Sequence, residues 1–269
     1  MSFIPVKELQ KKYQVRPSRG LGQNFLVDNS ELNKIADSAN LQKNDVVLEI
    51  GPGTGNLTQE LVKRVKKVII VEKDLRMIEI LKKTFGNLEN IEIIQGDILK
   101  IKELKIKNYK IVANLPFYLT APVIRKFLEA KNPPKEMVLV IQKEVAQRIC
   151  TKVPDLNLLA VSIQFYAKPK IISYISKRSF WPKPKVDSAI IRITPEENEK
   201  DISRDLFFKI VKAGFSQPRK QILNNLSSNL KIERIKTSSW LLQNNIKPTQ
   251  RAETLSVEDW IKLTKSFKI

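Results

Sequence analysis

Five short apolar runs rich in β-branched residues recur along the first half of the chain, separated by segments whose apolar residues fall three and four apart. The runs are Val46-Val47-Leu48, Val68-Ile69-Ile70-Val71, Ile91-Glu92-Ile93-Ile94, Ile111-Val112-Ala113 and Met137-Val138-Leu139-Val140-Ile141. Such runs suit strands buried on both faces, which requires helices on both sides of the sheet. Residues 57–65 and 75–81 carry the amphipathic spacing that covering helices need. The alternation predicts a doubly wound α/β domain with a mostly parallel sheet and right-handed crossovers. Two further strands are expected at 170–174 and 188–193. They flank Phe180-Trp181-Pro182-Lys183-Pro184-Lys185, which reads as an ordered loop because proline cannot continue a ladder.

The stretch Glu196-Glu197-Asn198-Glu199-Lys200-Asp201 has no apolar residue and marks a boundary. Beyond it no strand pattern recurs, and short helices are expected at 206–215, 221–230, 239–244 and 257–267. Ser256, with Asp259 three residues on, is placed to cap the last of them. The expected organisation is a larger α/β domain over 1–195 and a small all-α domain over 196–269.

With 42% hydrophobic residues in 269, the chain can bury a full core. Its 48 Lys and Arg against 28 Asp and Glu leave a formal charge of +20, which favours a polyanionic partner through phosphate contacts. There is no histidine, which excludes His-based zinc sites, Ser-His-Asp triads and imidazole bases. The single cysteine, Cys150, excludes an intramolecular disulfide and suits a reducing compartment. Residues 1–13 interleave apolar side chains with Lys7, Glu8, Lys11 and Lys12, and resemble neither a signal peptide nor a membrane span. A cytoplasmic monomer without a bound metal is expected.

The first strand runs into Glu49-Ile50-Gly51-Pro52-Gly53-Thr54-Gly55. Glycines between a strand and a helix let the backbone approach a ligand closely, so Gly51, Gly53 and Gly55 are expected to admit a nucleoside cofactor. The sixth position of the dinucleotide fingerprint is Asn56, a departure that weighs against a nicotinamide enzyme. The next strand ends in Glu72, where a carboxylate receives ribose hydroxyls. The third ends at Gly96-Asp97-Ile98, where Asp97 can accept from an adenine amine. The fourth runs into Asn114-Leu115-Pro116-Phe117. An exocyclic adenine nitrogen is a poor nucleophile because its lone pair is delocalised into the ring. Acceptors aimed at its hydrogens, the Asn114 side-chain oxygen and the Leu115 carbonyl, favour the form that attacks. Pro116 restricts the backbone, and Phe117 is placed to stack on an extruded base.

These motifs, with Gly22-Gln23-Asn24-Phe25-Leu26-Val27-Asp28, Gln142-Lys143-Glu144-Val145-Ala146, the segment from Phe180 to Ala189, Phe215-Ser216-Gln217-Pro218-Arg219-Lys220 and Arg251-Ala252-Glu253-Thr254-Leu255-Ser256, resemble the bacterial small-subunit rRNA adenine N6-dimethyltransferases along the whole chain. The resemblance implies a Rossmann-like S-adenosylmethionine-dependent methyltransferase domain with a helical rRNA-binding domain. It implies two adjacent adenines near the 3′ end of 16S rRNA as acceptors, each methylated twice, and a part in small-subunit biogenesis. By the same resemblance Asn24 and Leu26 contact the cofactor, Gly51 lines its amino-acid side, Glu72 takes the ribose and Asp97 the adenine amine. Asn114 borders cofactor and target, and Phe180 covers the second face of the flipped base. Phe117 stands where the family most often has tyrosine, which costs a hydroxyl and keeps the stacking face. Leu21 stands where an aromatic is common. Arg16, Arg19, Arg178, Lys183, Lys185, Arg219 and Lys220 are the expected RNA contacts.

Two other activities share parts of this pattern. Resistance methyltransferases acting on one adenine of large-subunit rRNA share the glycine loop and the Asn-(Ile/Leu)-Pro-aromatic tetrad, but the Gln-Asn-Phe-Leu-Val-Asp and Arg-Ala-Glu-Thr-Leu-Ser runs favour the small-subunit group. An assembly or transcription factor that keeps the fold only to bind nucleic acid is disfavoured by intact cofactor and tetrad residues.

Overall fold

The computed structural model describes residues 8, 16–18, 20–102, 104–196 and 202–267. Arg19, most of the N-terminal segment read above as neither signal nor span, and most of the acidic boundary lie outside these. The seven expected strands form one sheet: β2 (Val46–Ile50), β3 (Lys67–Glu72), β4 (Ile91–Gln95), β5 (Tyr109–Asn114), β6 (Glu136–Gln142), β7 (Ala167–Ile175) and β9 (Ser188–Pro195). Their order is β4-β3-β2-β5-β6-β9-β7. Pairs among β4, β3, β2, β5 and β6 are parallel, and β9 runs antiparallel to β6 with Leu139 opposite Ile191. The centre is apolar on both faces because Val47, Ile70, Ile111, Val138 and Val140 are all buried.

Two further strands, each two residues long, are β1 (Phe25–Leu26) and β8 (Phe180–Trp181). They pair antiparallel with Leu26 opposite Phe180. Part of the proline-rich segment expected as loop is therefore strand, and its ladder stops where Pro182 removes the next donor.

Helices α1 (Asn29–Ser38), α2 (Asn56–Val62), α3 (Leu75–Phe85) and α4 (Thr120–Leu128) cover the sheet. Asp28 caps α1 by accepting from the Ser30 and Glu31 N–H groups, and Asp74 caps α3 through the Arg76 N–H. Ile35, Leu61, Leu81 and Phe85 of the first three helices share one core with β-strand residues.

The chain divides into two compact units: 1–146 with 168–195, and 147–167 with 196–269. The division at 195/196 coincides with the acidic stretch. Residues 147–167, expected within the α/β domain, instead pack into the helical unit. The helix α6 (Leu158–Gln164) and the residues around it bring Leu156, Ala160, Val161 and Phe165 into a core with Phe207, Leu226, Trp240 and Trp260. Phe165 stacks on Phe207 at 4.0 Å between ring centroids, an attachment that outweighs adjacency in the chain.

The helical unit is completed by α7 (Arg204–Gly214), α8 (Ile222–Leu230), α9 (Arg234–Gln243) and α10 (Val257–Lys265). Ser256 and Asp259 form the expected capping box at α10. The shorter α5 (Lys143–Ile149) follows β6.

Candidate active site

The sheet order reverses between β2 and β5, and the carboxyl ends of parallel strands open a crevice at such a point. The sequence sends its chemistry there. One pocket is lined by Gly51 and Gly53 after β2, Glu72 at the end of β3, Asp97 after β4, the tetrad from Asn114 to Phe117 at the end of β5, and Asn24, Phe25, Leu26 and Phe180. Of the expected cofactor residues, only Gly55 does not line it.

All three glycines of the turn have φ between 58° and 84°, so a side chain is disfavoured at each. Their surroundings differ. A Cβ on Gly53 would lie 2.6 Å from Phe25 Cε1, and one on Gly55 would overlap the Phe85 ring. Protein side chains therefore occupy those two spaces. Gly51 has only the Pro116 ring nearby, 3.6 Å from its would-be Cβ, and is the glycine where a ligand can come close to the backbone. The departure at Asn56 gains a reason as well. Its Nδ2 donates to the Leu26 carbonyl at 2.6 Å, and its Oδ1 accepts from Thr54 Oγ1 at 3.0 Å, fastening the turn to β1. The signal that sequence reading missed was the amide itself, buried beside a glycine turn.

Glu72 is buried, with 6% exposure, yet well supplied with donors. Its Oε1 accepts from the Lys73 and Asp74 N–H groups at 2.7 and 2.8 Å, and its Oε2 from the Gly53 N–H at 3.2 Å. Burial pushes its pKa up, opposed by these three bonds. A carboxylate offers about four lone-pair sites, so one remains on Oε2. Asp97 accepts from Lys73 Nζ and the Leu99 N–H, both at 3.0 Å. The Lys73 hydrogen bond holds Asp97 below the usual carboxylate range. Lys73, which also lines the pocket, was not singled out from the sequence because an exposed lysine in a Lys-rich chain carries no distinguishing mark.

The N-terminal run is bound into the site residue by residue. Gln23 Nε2 donates to Asp74 Oδ2 at 3.0 Å, Asn24 Nδ2 to the Gly22 carbonyl at 3.2 Å, and the Asn24 carbonyl accepts from Asn114 Nδ2 at 3.1 Å. That last bond gives the Asn114 amide its polarity: with Nδ2 engaged, Oδ1 is left as an acceptor. Leu115 is buried and its N–H reaches the Val140 carbonyl, which extends the β5–β6 pairing into the tetrad. Phe117 opens a single 3₁₀ turn, Phe117–Leu119, and is partly exposed. Phe180 is buried and belongs to the core while also lining the pocket.

Residues 16–268 match the family model described as ribosomal RNA adenine dimethylase. The chain belongs to this family. Among its relatives, a ribosomal RNA small subunit methyltransferase A of Dehalococcoides mccartyi is 44% identical over 96% of this chain and 90% of the relative. One of Alkaliphilus oremlandii is 41% identical over 94% and 93%. A dimethyladenosine transferase from Plasmodium falciparum superposes with TM-score 0.75 at 29% identity, covering 88% of this chain and 94% of that one. The 23S rRNA methyltransferase ErmE superposes with TM-score 0.73 at 25% identity, covering 90% and 98%.

The protein is thus an rRNA adenine dimethyltransferase, and one buried group in its pocket has no place in the expected chemistry. Glu49 is 1% exposed, its Oε2 accepts from Thr58 Oγ1 at 2.6 Å, and burial pushes its pKa from 4.5 to about 8. The folded dimethyltransferase keeps this proton up to about pH 8, whereas the unfolded chain releases it above about pH 4.5. Raising the pH across that interval therefore destabilises the fold, by up to about 1.4 kcal/mol per unit. Thermal midpoints of wild type and Glu49→Gln measured from pH 5 to 8 should diverge, the wild type losing ground as pH rises. Parallel curves would mean that Glu49 is ionised in the folded protein.

The dimethyltransferase's expected RNA contacts Arg16, Arg178, Lys183, Lys185, Arg219 and Lys220 are all exposed. Arg178, Lys183 and Lys185 flank β8. Arg219 and Lys220 lie in the turn between α7 and α8, pinned by buried Asn225, whose Nδ2 donates to the Gly214 and Gln217 carbonyls. Among the described residues no group of three or more His, Cys, Asp or Glu is placed to hold a metal ion, and no helix is long and apolar enough to cross a membrane.

Proposed function

We propose that this enzyme uses S-adenosylmethionine to convert two adjacent adenosines near the 3′ end of small-subunit (16S) rRNA into N6,N6-dimethyladenosines, and so takes part in small-subunit biogenesis. The observation that carries the chemistry is the bond from Asn114 Nδ2 to the Asn24 carbonyl, which leaves Asn114 Oδ1 to accept from an amine at the pocket. Greater identity to the small-subunit methyltransferases than to the 23S enzyme supports the choice of RNA.

The residues present fit the cofactor. Glu72 Oε2 keeps a free acceptor site for a ribose hydroxyl, Asp97 retains a lone pair on each oxygen for an adenine amine, and Gly51 leaves room at the backbone for the amino-acid end. Asn24 and Leu26 close the side formed by β1. When bound, S-adenosylmethionine supplies an electrophilic methyl carbon on a sulfonium.

The protein's own contribution is positioning and electrostatics. Asn114 Oδ1 and the Leu115 carbonyl accept the two amine hydrogens, which draws the nitrogen lone pair out of the ring and favours the cationic amine more than the neutral one. Phe117 and Phe180 hold the planes of the extruded base, fixing the approach direction. The proton leaves to water once the amine is cationic. After one methylation a single N–H remains, so the second round engages only one of the two acceptors.

The test incubates purified protein and labelled S-adenosylmethionine with unmethylated small and large subunits separately, then maps the modified base by mass spectrometry. N6,N6-dimethyladenosine in the small subunit alone is expected. Label in the large subunit would replace the target with 23S rRNA, and tight subunit binding without label would make the protein an assembly factor.

A further inference from the structure

The three tryptophans differ sharply in environment. Trp240 and Trp260 are 4% and 0% exposed within the helical unit, whereas Trp181 is 39% exposed. Trp181 directly follows Phe180, and alternation along β8 turns the two rings to opposite sides: Phe180 is buried and lines the pocket, while Trp181 does not line it. Instead the indole stacks on Phe25, with centroids 6.4 Å apart and planes 21° from parallel. Phe25 in turn lies against Gly53. An exposed indole costs free energy that a smaller polar residue would avoid, and it offers a flat face that nucleobases recognise.

The indole is held firmly and set among cations. The Val27 N–H donates to the Ser179 carbonyl at 2.9 Å, Ser179 Oγ donates to Asp28 Oδ2 at 3.2 Å, and the Lys177 N–H donates to Asp187 Oδ1 at 2.9 Å. Both ends of the segment carrying Trp181 are therefore anchored. Arg178, Lys183 and Lys185 lie within four residues of it, all exposed, and none forms an ion pair among the described residues. An aromatic platform with unpaired cations beside it is the combination that binds single-stranded nucleic acid, stacking on bases while neutralising phosphates.

We propose that Trp181 is an RNA-binding residue that stacks on a nucleotide flanking the target adenosine, outside the pocket, while the neighbouring cations hold the phosphates on either side. The site discriminates unpaired from paired RNA, because only an unstacked base can lie on the indole. This deepens the proposed function and rests on its placing RNA at this face. Because the indole also backs Phe25 and hence Gly53, a merely structural Trp181 would reveal itself through cofactor binding.

The experiment compares wild type, Trp181→Phe and Trp181→Ala. Three quantities are read for each: affinity for S-adenosylhomocysteine by calorimetry, affinity for unmethylated small subunits and separately for large subunits, and KM and kcat on whichever subunit the wild type labels. Trp181→Ala should raise KM and weaken binding to that subunit about tenfold or more, with kcat within about twofold and S-adenosylhomocysteine affinity unchanged. Trp181→Phe should restore most of the loss, since a phenyl ring still stacks. Unchanged RNA binding in Trp181→Ala would overturn the proposal, as would a loss shared equally with S-adenosylhomocysteine. A wild type that labels only large subunits would refute the choice of 16S rRNA and still leave the Trp181 comparison readable.

Discussion

Replacing Asn114 with alanine is expected to lower methyl transfer by roughly 10²–10³-fold, the usual effect of removing one pre-set polar group from a reacting centre. The thermal midpoint should move little, because the side chain is only partly buried and, among the described residues, its hydrogen bond goes to the Asn24 carbonyl. Asn114→Asp sharpens the test. A carboxylate retains an acceptor for the amine but has no N–H for Asn24, so it faces a carbonyl oxygen with an oxygen of its own. Both variants should therefore fail in single-turnover assays at saturating S-adenosylmethionine. Near-normal turnover in Asn114→Asp would mean that the donation to Asn24 does not organise the site. Wild-type rates in Asn114→Ala would remove the residue from the chemistry.

Glu72→Ala is expected to have the second largest effect, and for two separable reasons. It removes the proposed ribose acceptor, and it strands the N–H groups of Gly53, Lys73 and Asp74. Losing a hydrogen bond to a charged acceptor costs about 1.5–3 kcal/mol, which predicts roughly 10–100-fold weaker S-adenosylhomocysteine binding by calorimetry. The orphaned donors cost stability as well, on the order of 1–3 kcal/mol each where water cannot reach them. Glu72→Gln should keep part of both, since its amide oxygen can still accept while its NH₂ opposes the remaining backbone donors. A destabilised Glu72→Ala with unaltered cofactor affinity would confine Glu72 to anchoring the glycine turn. Because the first variant acts on the transfer step and this one on binding, the pair separates chemistry from recognition.

The strands of the sheet were readable because burial on both faces forces nearly unbroken apolar runs, and each of the seven expected positions is a strand. The capping box at Ser256 was readable for a similarly local reason, two side chains three residues apart. The strands β1 and β8 were not, since two residues cannot establish a period and their pairing joins Leu26 to Phe180 across the chain. Residues 147–167 were misplaced because the apolar spacing of a helix says which face is buried and not against what. Phe165 meeting Phe207 is a matter of three-dimensional packing alone.

The candidate site divides along the same line. Residue types at strand ends, Gly51, Glu72, Asp97 and Asn114, and the family to which they belong were determined by the sequence itself, because a parallel sheet delivers the carboxyl ends of its strands to one edge. Tertiary structure alone decided that Gly53 and Gly55 make room for Phe25 and Phe85, that Lys73 holds Asp97, that Gln23 reaches Asp74, and that Asn24 sets the direction of the Asn114 amide. Each of these, the glycine contacts included, joins groups between 24 and 90 residues apart. No local pattern encodes such partners: a hydrogen bond or a ring contact is chosen by the fold that brings its two halves within reach.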